Sequence, residues 1–152
     1  MDVRDFTGRV RASEAKLFRV AYGVLRCEAD CNDALQEALL KAWKKRDTLR
    51  DEALFDTWLT RILINECYLL IRKNRRVRPV SPPEHPPEHR ELHDALMNLP
   101  DKLRLPLTLH YAEGYTTSEI ARILSIPDGT VKGRLVRGRA ALKKDMTSEV
   151  LK

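Results

Sequence analysis

The chain has 152 residues, of which 43% are hydrophobic and 33% are charged, and its formal net charge is +6. This length suits one ordinary domain or two small ones, and the basic balance favours a polyanionic partner, nucleic acid before an anionic membrane surface. No stretch reaches the roughly 20 apolar residues that span a bilayer, and no apolar signal core follows the charged N-terminus. We therefore expect a cytoplasmic protein without membrane insertion.

The first half of the chain predicts three amphipathic helices. Its apolar residues recur at intervals of three and four, as along one face of a helix, and proline is absent before Pro79. We place these helices near 9–26, 31–45 and 54–74, with a charged loop from Arg46 to Ala53. Trp43 and Trp58 fall on the apolar stripes and are interpreted as core.

Proline placement predicts a boundary between two domains. Five of the eight prolines lie between Pro79 and Pro87, and proline both removes a backbone donor and disfavours helix in the preceding residue. We predict one helical domain at 1–78, a Pro-rich linker at 79–89 and a second helical domain at 90–152.

The second half predicts four helices that end in a helix-turn-helix. Helices near 89–98 and 101–112 come first, and a capping box from Thr116 to Glu119 then opens a helix through Leu124. Pro127 and Asp128 suit the start of a last helix, which we extend to Lys143. A short helix, a turn and a longer helix are the pattern of a DNA-binding helix-turn-helix.

The last predicted helix carries charge of one sign, because no acidic residue occurs between Asp128 and Asp145. Lys132 and Arg134 lie early enough to reach base edges, whereas Arg137 and Arg139 are better placed for phosphates. The alternative is an ordinary helical hairpin with a solvated charged face. Gly133 and Gly138 lower helix propensity, and we ask whether they permit close approach to a backbone.

A second basic surface is predicted at the end of the third helix. The run from Arg72 to Arg78 holds five cationic residues, and Arg61 and Asn65 lie upstream of it, one turn apart. Two basic surfaces on tethered domains suit a ligand with two separated contact points, because binding through both gains from effective concentration.

Several motifs carry a family resemblance over nearly the whole chain. Residues 32–43 resemble the polymerase-binding helix of the extracytoplasmic-function (ECF) sigma factors of the sigma-70 family, and residues 55–65 resemble the promoter-reading helix that follows it. The segments 99–100, 115–121 and 126–135 resemble the fourth region of the same family. The resemblance implies an all-α protein with a three-helix region 2 and a four-helix region 4.

The resemblance also implies roles for matching residues. The core RNA polymerase would bind Asp33, Gln36, Glu37 and Leu40. The minus-10 promoter DNA would contact Arg61, Asn65, Arg72 and Lys73, and the loop from Asp47 to Phe55 would cup a flipped base. The minus-35 DNA would contact Thr130, Lys132, Arg134, Arg137 and Arg139. An anti-sigma factor is implied as a further partner.

Three residues or segments depart from the family pattern. Leu39 stands where the family often has phenylalanine, and Gly133 stands where it often has serine, so one polar DNA contact is missing. The loop 47–55 has no aromatic residue before Phe55, which leaves base capture to main-chain and polar groups.

The remaining candidates for chemistry are sparse. Cys27, Cys31 and Cys67 are too few for a secreted disulfide framework, and we favour ordinary packing over redox or metal sensing. His85, His89 and His93 are spaced by four, but Pro86 and Pro87 interrupt a helix there, so solvated histidines are favoured. With no catalytic motif recognised, we expect no enzyme activity, no metal and no cofactor.

Two other classes of protein remain open at this point. A stand-alone helix-turn-helix regulator would explain residues 90–144 but not the motifs at 31–43 and 54–65. A protein-interaction adaptor would use the helix at 31–45 for its partner and the basic faces for solubility alone.

Overall fold

The computed structural model describes residues 1–73 and 90–150, and in these ranges it contains seven α-helices, short 3-10 and π-helical turns, and no strand. The helices are α1 (Val3–Leu25), α2 (Glu28–Lys44), α3 (Phe55–Lys73), α4 (Arg90–Asn98), α5 (Asp101–Leu107), α6 (Thr117–Leu124) and α7 (Asp128–Val150). The all-α prediction of three helices followed by four is confirmed. The predicted linker at 79–89 lies outside the described residues.

Two compact units make up the chain, the first built around α1, α2 and α3. Each of these helices packs on the other two, and side chains that are completely or almost completely buried fill the space between them. They include Leu17, Val20, Leu59, Leu63 and Ile64. This burial accounts for the apolar periodicity of the sequence.

The first helix begins earlier than predicted, at Val3 instead of near residue 9. The Asp2 carboxylate accepts a hydrogen bond from the amide of Asp5 at 2.8 Å and so caps the helix start. Phe6, one turn further, is buried. The prediction missed this turn because its polar residues hide the helical period. The aromatic contacts of Phe6 are with Trp43 and Phe55, far along the chain.

The segment between α2 and α3 is more ordered than the predicted loop. It contains two 3-10 turns, Arg46–Thr48 and Glu52–Leu54. The second turn is capped by Asp51, whose carboxylate accepts from the amide of Ala53 at 3.0 Å. These turns lead directly into α3.

The second unit is built around α7, which packs on α5 and α4. Arg104 of α5 is buried and donates to the carbonyl of Leu99 at 2.9 Å, just after α4 ends. It also pairs with the carboxylate of Asp101. These bonds offset the cost of burying a guanidinium and satisfy a carbonyl at the end of α4.

A change of helical pitch follows α5. The predicted helix 101–112 has the expected extent, but Thr108–Ala112 forms a π-helical turn. Pro106 cannot donate a helical hydrogen bond, and π-turns occur as single insertions in α-helices. Gly114, at φ 76°, then reverses the chain in the left-handed region.

The helix-turn-helix forms as predicted. In the capping box, the amide of Thr116 donates to Glu119 Oε1 at 2.9 Å and the amide of Glu119 donates to Thr116 Oγ1 at 3.1 Å. The turn passes through Ser125 in the left-handed region, and the Pro127 carbonyl accepts from the amide of Val131 as α7 begins. The last helix continues past the predicted end at Lys143 to Val150.

The role of Gly138 is close packing between helices. A Cβ atom on this residue would lie 2.8 Å from Leu107 Cδ1 and 3.4 Å from the Leu103 carbonyl oxygen. The backbone that Gly138 approaches is therefore that of α5. At Gly133 a Cβ would meet just the guanidinium end of Arg137, at 3.3 Å.

Candidate nucleic-acid and polymerase interface

One face of α2 gathers the four residues that the sequence assigns to the polymerase core. Asp33, Gln36, Glu37 and Leu40 are all exposed, and their spacing of three and four places them on one side of the helix. Ala34, Ala38 and Ala42 are buried against the rest of the unit. Leu40 is 55% exposed, so this face is a polar surface with an apolar residue at one end, a composition suited to a protein partner.

The outer face of α3 carries the residues assigned to the minus-10 element. Arg61, Asn65, Arg72 and Lys73 are all exposed, and the first three share one side of the helix by their spacing of four and seven. Leu63, Ile64 and Cys67 are buried. The exposed side is therefore a cationic strip that could follow a phosphate backbone. It has no acidic residues of its own.

An aromatic cluster supports the loop between α2 and α3. The Phe6 ring lies edge-on to Trp43 and to Phe55, with centroids 5.2 and 5.8 Å apart, and Phe55 lies 5.8 Å from Trp58. Both tryptophans are half-buried, so their interpretation as core holds for part of each ring. Arg46 stacks on Trp43 at 3.7 Å and donates to its carbonyl at 2.7 Å.

Arg9 of α1 is tied to the same loop, a contact that sequence reasoning missed. Its guanidinium donates to the Glu52 carbonyl oxygen at 3.1 Å and to Glu52 Oε2 at 3.1 Å. It also lies 5.6 Å from the centroid of the Phe55 ring. The partners are 43 residues apart in sequence, and no local pattern signals a pair at such a separation.

The residues assigned to the minus-35 element take three different environments on α7. Lys132 and Arg137 are exposed, whereas Thr130 and Arg134 are half-buried. Arg139 is exposed and donates to the hydroxyl of Tyr111, over whose ring it lies. Lys132 also pairs with Asp128 at 3.1 Å, an exposed pair that contributes little to stability.

Val136 is a surface residue that sequence reasoning missed. It is 57% exposed and follows Lys132 by one helical turn. The buried side of α7 holds Val131, Leu135 and Gly138. At 3.6 residues per turn, Val136 and Arg137 lie on the opposite side. An apolar residue inside the basic run was the signal in the sequence that could have identified it.

The three cysteines are all buried. Burial is the main cause that raises the pKa of the Cys31 and Cys67 thiols to about 12, so both stay protonated at neutral pH. In the described parts of the chain, no three histidine, cysteine or acidic side chains gather to hold a metal ion. None of the helices among those residues is both long and apolar enough to cross a membrane.

Comparison with known families assigns both halves of the chain. Residues 10–77 match sigma-70 region 2, and residues 89–142 match sigma-70 region 4. The ECF RNA polymerase sigma factor SigM of Mycobacterium tuberculosis is 33% identical over 144 residues, which cover 88% of this chain and 73% of SigM. The ECF RNA polymerase sigma-E factor of Escherichia coli is 31% identical over 137 residues, which cover 74% of this chain and 72% of the sigma-E factor.

Solved structures agree with this assignment. The sigma factor RpoE from Bartonella quintana, in complex with the anti-sigma factor NepR, superposes with a TM-score of 0.83 at 27% identity, covering 95% of this chain and 98% of RpoE. CnrH, in complex with the cytosolic domain of CnrY, gives a TM-score of 0.77 at 25% identity, covering 97% of this chain and 90% of CnrH. The chain belongs to the ECF group of the sigma-70 family and is an RNA polymerase sigma factor, a factor of transcription initiation.

Proposed function

We propose that this sigma factor divides its work among three exposed faces: α2 binds the core polymerase, α3 with its preceding loop binds the minus-10 element, and α7 binds the minus-35 element. The observation that carries the proposal is the α2 face, where four residues that match the family's polymerase-binding helix are all exposed together. Catalysis belongs to the polymerase, and the sigma factor supplies binding and selection. We infer that it acts in the cytoplasm, where its polymerase is.

The proposed polymerase contact combines an apolar anchor with polar specificity. Leu40 provides apolar area at the end of the face, and Asp33 and Glu37 provide negative charge on an otherwise basic protein. Burying one exposed leucine contributes about 1.5–3 kcal/mol. The acidic groups would select a basic partner surface and orient it.

The proposed minus-10 contact uses cationic and polar groups together with an ordered loop. An unpaired base needs a pocket that holds it and cations that hold its phosphate. The loop 47–55 lies on the aromatic cluster, and Arg61 and Asn65 lie exposed on the helix that follows it. The departure from the family, a loop without aromatic residues before Phe55, leaves capture to the main chain and polar side chains.

The proposed minus-35 contact is the side of α7 opposite its buried face. Lys132 and Arg137 would bind DNA, and Val136 between them would contact a thymine methyl group, the apolar feature of the major groove. Arg134, Thr130 and Arg139 are assigned to the edges of this contact. For Arg139, the assignment is supported by its bond to Tyr111, which leaves the guanidinium on the surface as a phosphate donor.

We also propose an anti-sigma partner and independent domains at 1–78 and 90–152, joined by the linker 79–89. The support for the partner is that the superposed RpoE is bound to the anti-sigma factor NepR, and the superposed CnrH to the cytosolic domain of CnrY. Co-purification of a second protein from unstressed native cells tests the anti-sigma partner, and recovery of free or polymerase-bound sigma factor alone would contradict it.

Limited proteolysis tests the proposed domain boundaries, and cleavage confined to 79–89 is the expected result.

The decisive experiment is reconstitution. Core polymerase titrated with the purified chain should form a stable complex, and that complex should start transcripts at a restricted set of sites in a random promoter library. A stand-alone helix-turn-helix regulator would instead bind duplex DNA without the polymerase. An adaptor would do neither.

A further inference from the structure

The hydrogen bonds of Arg9 connect two parts of the first unit that have separate tasks. Arg9 lies in the first half of α1, a helix to which neither the polymerase nor the promoter is assigned above. Its partner, Glu52, lies in the second 3-10 turn of the loop that would capture the minus-10 base. All three nitrogens of the guanidinium are engaged, since Nε bonds Asp5 Oδ1 at 3.3 Å while the other two bond Glu52.

The bond to the Glu52 carbonyl constrains the main chain of the loop. The other hydrogen bonds described for this loop join residues within four positions of each other, so they shape its turns without fixing the loop on the unit. Arg9 ties the second turn to a different helix. The Phe55 ring ends the loop and lies beneath the guanidinium of Arg9. It packs on Phe6, which belongs to α1 as Arg9 does.

We infer that Arg9 is a positioning residue for minus-10 recognition: it holds the loop 47–55 in the shape that accepts the unpaired base without itself binding DNA. The inference rests on the function proposed above for the loop. Arg9 contacts the Glu52 main chain and the Phe55 ring, and neither group is assigned to DNA above. A base pocket made from main-chain and polar groups needs such a tie more than one built on an aromatic wall, because its geometry is set by the backbone.

The test compares four variants of the full chain bound to core polymerase: Arg9→Ala, Glu52→Ala, both together, and Arg11→Ala as a matched loss of an exposed charge on α1. Each holoenzyme transcribes a promoter library randomised at both elements, and its affinity for a single-stranded oligonucleotide carrying the selected minus-10 sequence is measured at several salt concentrations. Thermal unfolding and affinity for the core polymerase check that each variant is folded.

A positioning role predicts that Arg9→Ala weakens oligonucleotide binding by about tenfold, as for a lost hydrogen bond to a charged group. Glu52→Ala should weaken it less, because the bond from Arg9 to the Glu52 carbonyl oxygen remains. The double variant should be no worse than Arg9→Ala alone, because the carboxylate bond that Glu52→Ala removes is already lost without the arginine. Preference should flatten at minus-10 positions and stay unchanged at minus-35 positions. The salt dependence should match that of the unchanged protein, and Arg9→Lys should recover part of the affinity.

A direct phosphate contact predicts the opposite pattern and would overturn the inference. Arg9→Ala would then lower the salt slope by about one and weaken all sequences alike, while Glu52→Ala would free the arginine and strengthen binding. Behaviour of Arg9→Ala identical to that of Arg11→Ala would also overturn it. If the unchanged protein selects no minus-10 sequence at all, the proposed function of the loop fails first, and this result is separate from the other two.

Discussion

Gly138 lies where α7 crosses α5, and the absence of its side chain determines how closely the two helices approach. A methyl group there would overlap Leu107, which is itself buried. Gly133 lies five residues earlier in the same helix, and its surroundings are those of a surface position with one long side chain nearby. The pair therefore separates helix propensity from packing.

Opposite effects are expected from the same substitution at the two glycines. Gly138→Ala should lower the free energy of unfolding by about 1–3 kcal/mol, the range for overfilling a packed contact. Gly133→Ala should raise it by up to about 1 kcal/mol, because Arg137 can move aside and alanine favours helix. Urea unfolding followed by circular dichroism measures both, and equal changes of the same sign would contradict the packing role.

The buried thiols predict that stability falls at alkaline pH. The folded protein raises the pKa of Cys31 and Cys67 from 9.0 to about 12, so above pH 9 it holds protons that the unfolded chain releases. The unfolded state then binds fewer protons, and the free energy of unfolding decreases as pH rises from about 9 towards 12. Below this window the contribution is fully present.

The measurement is the urea midpoint at several pH values between about 8 and 11. A protein carrying Cys31→Ala and Cys67→Ala should show a shallower decline than the unchanged protein. The pKa of Tyr22 is raised mainly by burial and further by Cys31, so the double variant keeps the part due to burial and removes the part due to Cys31. Parallel curves for the two proteins would refute the assignment to the thiols.

At the scale of one helix, α2 separates its stabilising residues from its proposed binding residues. Replacing both Gln36 and Glu37 with alanine should weaken core polymerase binding by about 1–3 kcal/mol in a titration, as for polar groups within an interface. The unfolding midpoint should change little, because both side chains are exposed. Glu14→Ala on α1 removes another exposed acid and should leave core binding unchanged. Unchanged affinity in the double variant would remove the α2 assignment.

The helices show which features local sequence can predict. The capping box at Thr116 and the start of α7 at Asp128 were predictable because their signals lie within four residues of each other. The Asp2 cap of α1 is an equally local signal that the prediction overlooked. The burial of Phe6 was not predictable, since it depends on contacts with residues far along the chain. The π-turn after Pro106 escaped prediction because a proline indicates a lost hydrogen bond without specifying how the backbone adjusts.

The candidate site follows the same division. Exposure of Asp33, Gln36 and Glu37 was predictable from helical spacing, since these polar residues share one side of α2 and the buried alanines lie on the other. The tie between Arg9 and Glu52 and the bond between Arg139 and Tyr111 were not, because they join elements 43 and 28 residues apart. Arg134 was predicted to reach base edges from its place in the chain. Its half-buried position gives that role less support than the exposure of Lys132.

For the whole molecule, the two proposed DNA-binding faces, which lie on separate compact units, predict separable effects on a promoter. Lys132→Ala should relax preference within the minus-35 element by about 1–3 kcal/mol at the contacted base pair. Asn65→Ala should alter opening or preference at the minus-10 element and leave the upstream positions unchanged. Transcription from a doubly randomised library reads both, and substitutions that alter the same positions would rule out the division of labour.

The arrangement of α7 also bears on how such a factor could acquire new target promoters. The buried residues of α7, Val131, Leu135 and Gly138, share no position with the outward ones at Lys132, Val136 and Arg137. Substitutions on the outward side therefore leave the buried side of α7 intact. If the proposed minus-35 contact holds, duplicated copies can change their target promoter and stay folded. A library randomised at those three outward positions should yield mostly folded proteins, whereas a library randomised at the three buried positions should yield few folded proteins.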